Sequence, residues 1–260
     1  MKHTEIEKNR YNKRSKYKID NLESLNFDIV GSEQENIIFS SPYIYFENQI
    51  ESHIDKNHLV LELCGGDGCY SLFTAKKCKK IYSTDISSES IEIGKIRAKK
   101  MKINNISFEV MNAEKIKYND DMFDLVTIVS SLSYLKLDNA LSEVSRVLKN
   151  DGKLIIVDSF NHNIFYRINR FIHYLKGERT WYVIKNIPDK KTLRKIANKF
   201  DLINIKYFGI FIFISPLLKL FFSEIKTKQI IDKLDHLFRF FKKYSFKIVI
   251  TAKKIKKMED

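Results

Sequence analysis

The sequence predicts an α/β protein built on a doubly wound parallel sheet, and three observations carry that expectation. Apolar runs of strand length alternate with stretches of helical spacing from about residue 59 to 157. The first run, Leu59 to Leu63, feeds a glycine cluster at Gly65, Gly66 and Gly68, followed by a helical pattern at Tyr70, Leu72, Phe73 and Ala75. The run Phe123 to Val129 is almost continuously apolar, as expected of a strand covered on both faces.

Taken in order, residues 1 to about 35 are polar and predict a partly helical or disordered extension. Phe46 to Ile54 predicts a short helix leading into strand one at 59–63, whose own helix runs to about 77. Strand two, 80–85, ends on Asp85, and Ser87-Ser88-Glu89 predicts the N-cap of a helix from Ile91 to Lys100. Strands three and four fall at 106–111 and 123–129. A helix over 138–148 places Ala140, Leu141, Val144, Val147 and Leu148 on one face. Asn150-Asp151-Gly152 predicts a turn, and strand five follows at 153–157. Beyond it the pattern changes. Residues 159–187 are aromatic and basic, with an amphipathic run at Ile164, Phe165, Ile168, Phe171, Ile172 and Leu175. Pro188 and Asp189 open a helix over about 189–199; 203–214 reads as strand six and 245–252 as a last strand, with a helical insertion between them. The expected organisation is an extension (1–40), an α/β core (41–158), a cap (159–200) and C-terminal strands with a helical insertion (201–260).

A chain of 260 residues, 44% hydrophobic, can bury one domain with a small cap. The net charge of +14 fits either a polyanionic partner or lysines scattered over solvated faces. The densest runs, Lys8 to Lys18 and Lys253 to Lys257, sit near the ends, as solvated tails do. Cys64, Cys69 and Cys78 are too few and too closely spaced for a disulfide framework, and no Cys-x-x-Cys or histidine pair predicts a metal site. The first residues lack an apolar signal core, and the longest apolar stretch, Tyr207 to Phe222, is broken by Pro216 and Lys219. A cytoplasmic protein with reduced thiols is expected.

Strand, glycine turn and helix bring bare backbone N–H groups up to a ligand. Asp85, seventeen residues after Gly68 and at a strand tip, suits the hydroxyls of a ribose. Together with Glu62 before the turn and Asn112-Ala113-Glu114 after strand three, these features resemble the class I S-adenosylmethionine-dependent methyltransferases. The resemblance covers roughly residues 45–160 strongly and the rest loosely. It implies a Rossmann-like, seven-stranded, mostly parallel sheet whose last strand inserts antiparallel, with a helical, aromatic cap after strand five, and S-adenosyl-L-methionine as cofactor. Cys64 stands where the family's first glycine falls, and Gly66 and Gly68 hold the other two. By the same resemblance, Glu62 organises the turn near the methionine amino end, and Cys64, Gly65 and Gly66 offer backbone. Asp85 takes the ribose hydroxyls, Ile86 packs on the adenine face, Asn112 and Ala113 take the adenine edge, and Ser130 lies under the sulfonium end. The spacing of nicotinamide-binding turns is absent, because Ser71 stands where their third glycine would be.

A sulfonium is already an excellent leaving group, so the protein needs to supply alignment, exclusion of water and a base. The base is expected beyond the carboxyl ends of strands four and five, where His162 is the first choice, Asp158 the second, and Tyr166 and His173 further candidates. The cap loosely resembles that of methyltransferases of surface-polysaccharide or secondary-metabolite assembly. That likeness implies a small-molecule acceptor, with O-methylation of a sugar or glycan precursor, free or nucleotide-linked, as the expected reaction. Its aromatics would then meet sugar faces, and Arg167, Arg170 and Arg179 a diphosphate or carboxylate; alternatively the apolar stripe packs on the sheet. Nucleic acid is disfavoured: Ser130-Ser131-Leu132-Ser133-Tyr134 lacks the amide cradle of base-amino methylation, and the cysteines lie too early for carbon-5 chemistry. An RNA methyltransferase stays open on charge alone, as does a module that holds the cofactor without turnover. The basic, aromatic stretch 207–244 predicts peripheral membrane contact, a packed insertion or a dimer contact.

Overall fold

The computed structural model describes residues 3–21, 27 and 29–255. Its strands are β1 (Leu59–Leu63), β2 (Lys80–Asp85), β3 (Ile106–Val110), β4 (Phe123–Val129), β5 (Leu148–Ser159), β6 (Phe200–Phe208) and β7 (Lys247–Lys254). Among the described residues they form one seven-stranded sheet ordered β3-β2-β1-β4-β5-β7-β6. β7 runs antiparallel to both of its neighbours, and the other adjacent pairs are parallel. Strand order reverses between β1 and β4, so the crevice for a ligand opens at their carboxyl ends.

Successive strand residues feed opposite faces. Leu61, Leu63, Val126 and Ile156 join Leu141, Val144 and Ile250 in one core cluster. Val60, Leu125, Ile155 and Val157 join Phe46, Ile50 and Val249 in the other. Helices α2 (Ser41–His53) and α3 (Cys69–Ala75) lead into and out of β1. α2 starts earlier than its apolar residues predict because Pro42 suits a first helical turn. Ser87 caps α4 (Ser88–Lys100) as expected, its side chain accepting from the Ser90 N–H. α5 (Leu137–Val147) runs straight into β5, which is longer than predicted. Asn150-Asp151-Gly152 still turns, but as a bulge in β5: Asp151 adopts φ +66°, and the pairing with β4 jumps from Leu148 to Lys153.

The cap contains α6 (Ile164–Leu175) and α7 (Trp181–Lys185), and α8 (Lys190–Ala197) begins at an Asp189–Thr192 capping box. β6 stops well short of residue 214. Gly209 turns the chain at φ +72°, and the Asp235 carboxylate accepts the N–H groups of Gly209 and Phe211, which a continuing strand would need. α9 (Ser215–Leu218) and α10 (Glu224–Leu237) form the helical insertion before β7. Among the described residues no helix is long and apolar enough to cross a membrane.

The largest departure is the amino-terminal extension. His3–Asp20 forms a helix, α1, that docks on α4 instead of trailing as a solvated tail. Buried Ser15 meets Ser90 at 2.8 Å, and Lys18 reaches Asp67 at 2.7 Å. Residues 22–26, within the same expected extension, and Lys256 and Lys257 of the carboxyl-terminal charge run lie outside the described residues.

Candidate active site

The β1–α3 turn is built from unusual backbone. Cys64, Gly66 and Gly68 adopt φ of +58°, +56° and +75°, which explains why glycine suits these positions and why cysteine at the first is strained. Gly65 has no room for a side chain, since a Cβ there would stand 2.6 Å from Ser83 Oγ, and one at Gly68 would meet the Phe108 ring at the same distance. At Gly66 the space is open, leaving bare backbone toward the crevice. Asp85 steadies this turn from the tip of β2. Its Oδ2 accepts the Gly66 N–H and its Oδ1 the Ser87 N–H, each at 2.9 Å. Burial holds its carboxyl above the usual range, against the pull of those N–H groups.

Cys64, Gly66, Asp85, Ile86, Asn112, Ala113 and Ser130 line one cavity of about 240 Å³. Seven of the ten residues expected at the cofactor therefore converge, while Glu62, Gly65 and Gly68 stand behind that wall. Asn112 is partly committed: its Oδ1 already accepts the Glu114 N–H at 2.9 Å, so its amide group and one lone pair are left for a ligand. The donor set suits S-adenosylmethionine. A carboxylate with spare lone pairs faces a diol, apolar Ile86, Met111 and Ala113 suit a flat base, and the open backbone at Gly66 suits the amino-acid end.

α1 supplies the outer wall, which the sequence reading missed. Thr4, Glu7 and Tyr11 line the cavity, and Glu7, though charged, is buried. Glu7 accepts from Thr180 at 2.9 Å and pairs with Arg10 at 3.0 Å, while His3 stacks on Tyr182 at 3.7 Å. The spacing of Glu7 and Tyr11, four residues apart and thus on one helix face, was the available signal, hidden by the surrounding lysines.

Glu62 lies wholly inside. Burial, then Asp67 and Asp85, push its carboxyl well above the usual range, while Ser71 donates to it. The folded state therefore binds a proton that the unfolded chain releases. Its contribution favours folding below the ordinary carboxylate range and is lost as pH rises toward the raised value. Glu62→Gln is expected to flatten that decline, so thermal melts of the variant should depend less on pH than those of the wild type between mildly acidic and neutral solution.

The two expected bases stand elsewhere. Asp158 does not line the cavity; its oxygens hold the Leu132 N–H at 2.8 Å and the Ser159 N–H at 2.6 Å, fixing the loop after β4. His162 packs against Phe160 at 4.8 Å and is also outside the cavity lining. Burial lowers its pKa, and its Nε2 lacks a hydrogen-bond partner. His173 pairs with Glu178 near the end of α6, and Tyr166 is buried against Phe246 at 4.8 Å. Two of the three cap arginines are engaged as well: Arg170 sits over the Tyr166 ring at 4.6 Å and Arg179 donates to Tyr134. The three thiols are poor nucleophiles. Burial raises all of them, Cys69 to about 12 and Cys78 to about 11.

Behind Ser130 lies a polar group that the sequence reading did not find. Ser130 adopts φ +51° at the end of β4. Its Oγ accepts from Lys247 Nζ at 2.8 Å and lies 3.4 Å from Tyr43 Oη. Lys247 is 5% exposed. Burial pulls its pKa down, but Tyr43, Asp158 and Tyr166 outweigh that and hold the ammonium charged. Nearby, the Tyr70 hydroxyl donates to Glu35 at 3.0 Å. Burial raises Glu35 above the usual range, with Tyr70 and Lys247 opposing. A lysine at the head of the otherwise apolar run Lys247 to Ile250 was the visible signal.

A sheet in this order, with a glycine turn after β1 and an acid at the tip of β2, defines the class I methyltransferase architecture. Residues 61–156 match the family model described as a methyltransferase domain. Over 195 residues the chain is 29% identical to a ubiquinone/menaquinone biosynthesis C-methyltransferase UbiE of Hydrogenovibrio crunogenus, spanning 66% of this chain and 75% of that protein. The crystal structure of the YcgJ protein from Bacillus subtilis superposes with a TM-score of 0.57 at 20% identity, over 82% of this chain and 98% of that one. The geranyl diphosphate C-methyltransferase of Streptomyces coelicolor A3(2), solved with geranyl diphosphate and S-adenosyl-L-homocysteine, superposes with a TM-score of 0.58 at 15% identity, over 82% and 79%. The chain thus carries a methyltransferase domain on the class I architecture.

Proposed function

We propose that the chain binds S-adenosylmethionine in the cavity between α1 and the β1–α3 turn, and methylates a ring carbon of a small phenolic or enolic acceptor. The observation that carries this reading is the buried ammonium of Lys247, 2.8 Å from Ser130 Oγ at the cavity wall. Lys247 donates to that oxygen, and with Tyr43 Oη donating to it as well the Ser130 hydroxyl hydrogen is left for an acceptor oxygen. A charged lysine behind it favours that oxygen as an anion, and a phenolate or enolate is nucleophilic at the adjacent carbon. The cofactor supplies a methyl group on a sulfonium, a leaving group that needs no activation. Asp85 and the Gly66 backbone hold it, and α1 and Tyr11 exclude water. The acceptor releases its hydroxyl proton to solvent as Lys247 stabilises the anion; the new carbon–methyl bond forms as the sulfur–methyl bond breaks, and the proton of that ring carbon then passes to the oxygen. The names of the UbiE relatives, C-methyltransferases of quinone biosynthesis, agree with this chemistry. A sugar hydroxyl is too weak an acid to gain as much from Lys247, and two of the three arginines expected to meet a diphosphate, Arg170 and Arg179, are engaged with tyrosines.

The test is incubation with methyl-labelled cofactor and a panel of hydroquinones, nucleotide sugars and RNA. Carbon-bound label on a hydroquinone is expected; label on a sugar or RNA alone would overturn the acceptor. Turnover should rise with pH as the acceptor hydroxyl ionises beside Lys247.

A further inference from the structure

The apolar side of α6 covers neither the sheet nor the cofactor cavity. Ile164, Leu175, Leu217, Leu220, Phe221 and Phe240 are 60–76% exposed, and they come from two separate segments, the cap and the β6–β7 insertion. The segments join into one surface. Phe165 stacks on Phe213 at 4.6 Å, and ring contacts continue through Phe211 and Phe238 to Phe240. Asn163, which caps α6, donates to the Tyr244 carbonyl at 3.0 Å and ties the far end of the insertion back to the cap. Exposed apolar surface on this scale marks a contact site.

Charge selects the occupant. The segment 211–246 carries seven basic side chains against three acidic ones. The acids are spent locally: Glu224 on Lys219, Asp232 on Lys228, and Asp235 on backbone N–H groups. Lys226, Lys233, Arg239, Lys242 and Lys243 thus keep their charge without a carboxylate partner among the described residues. Arg239, Lys242 and Lys243 alternate with exposed Phe238, Phe240, Phe241 and Tyr244. Cations at headgroup level beside inserted aromatic and aliphatic side chains are what an interfacial surface requires. A second copy would bring two such positive faces together, which like-charge repulsion opposes.

We infer that this face docks the enzyme on an anionic lipid bilayer. The surface also adjoins the site: Tyr166, one residue after Phe165, packs on Phe246 beside Lys247. The docking does not depend on which acceptor is methylated.

Sedimentation of the full chain with phosphatidylcholine vesicles, with and without phosphatidylglycerol, tests it. Pelleting is expected with the anionic vesicles and should weaken with salt. The pair Phe221→Asp and Phe240→Asp, and separately the pair Arg239→Gln and Lys242→Gln, should each lower partitioning by roughly tenfold. Melting temperature and cofactor affinity by calorimetry should stay at wild-type values, so that loss of docking is distinct from loss of the methyltransferase site. Wild-type protein that remains in the supernatant with both vesicles would overturn the inference. So would variants that pellet as well as wild type, or a dimer in light scattering that the aspartates dissociate, since a second copy would then own the face.

Discussion

Asp85→Ala is expected to weaken binding of S-adenosylmethionine by roughly 1–3 kcal/mol, a loss of about five- to 150-fold. Each carboxylate oxygen already accepts one backbone N–H, from Gly66 and Ser87. One lone pair per oxygen is then left at the cavity, a match for two vicinal hydroxyls. Alanine removes both acceptors and also frees the Gly66 N–H, loosening the turn whose open backbone forms the floor. Asp85→Asn keeps one acceptor and should lose less. Because burial raises the Asp85 carboxyl, and only its ionised form accepts on both oxygens, wild-type affinity should fall as pH drops through that raised pKa. Calorimetry that finds wild-type affinity in the alanine variant would take the ribose role away from Asp85.

Much of this pocket was legible because its determinants are local. Leu59 to Leu63, the glycines and Asp85 lie within one βαβ unit, where strand length, turn residues and crossover geometry constrain one another. Even Ser87 as a cap followed from neighbours alone. What failed depends on contacts between distant segments. Nothing near His3–Asp20 in the sequence shows that α4 waits to receive it, and its lysines imitate a tail. β6 was overextended because Phe211 to Ile214 have strand-forming side chains, whereas Asp235, 24 residues beyond Phe211, takes the N–H that a strand would use. The surroundings of the expected bases depend on such contacts too. Asp158 stands where a base was sought, at the end of β5, but the Leu132 N–H of the loop after β4 takes one of its oxygens and the neighbouring Ser159 N–H the other. Lys247 reaches Ser130 across 117 positions of chain, a pairing set only by the antiparallel entry of β7 between β5 and β6.

Lys247→Met is expected to lower kcat by roughly 10²–10³-fold while leaving cofactor affinity almost unchanged. β7 places Lys247 opposite Ser159 at the carboxyl end of β5, beside the cavity and not within the cofactor wall. Methionine keeps most of the volume but leaves Ser130 without its donor and Asp158 without the cation that helps offset its burial. Some loss of thermal stability will accompany the change, so the rate alone cannot separate an electrostatic role from a structural one. The pH profile can. With the ammonium present, an acceptor hydroxyl ionises more readily; without it, the rise of kcat with pH should move to higher pH. Lys247→Arg retains the charge in a bulkier group, and should recover the profile even where packing lowers the maximum rate. A folded methionine variant with the wild-type profile would show that the acceptor anion owes nothing to Lys247, and the phenolic or enolic reading would lose its support.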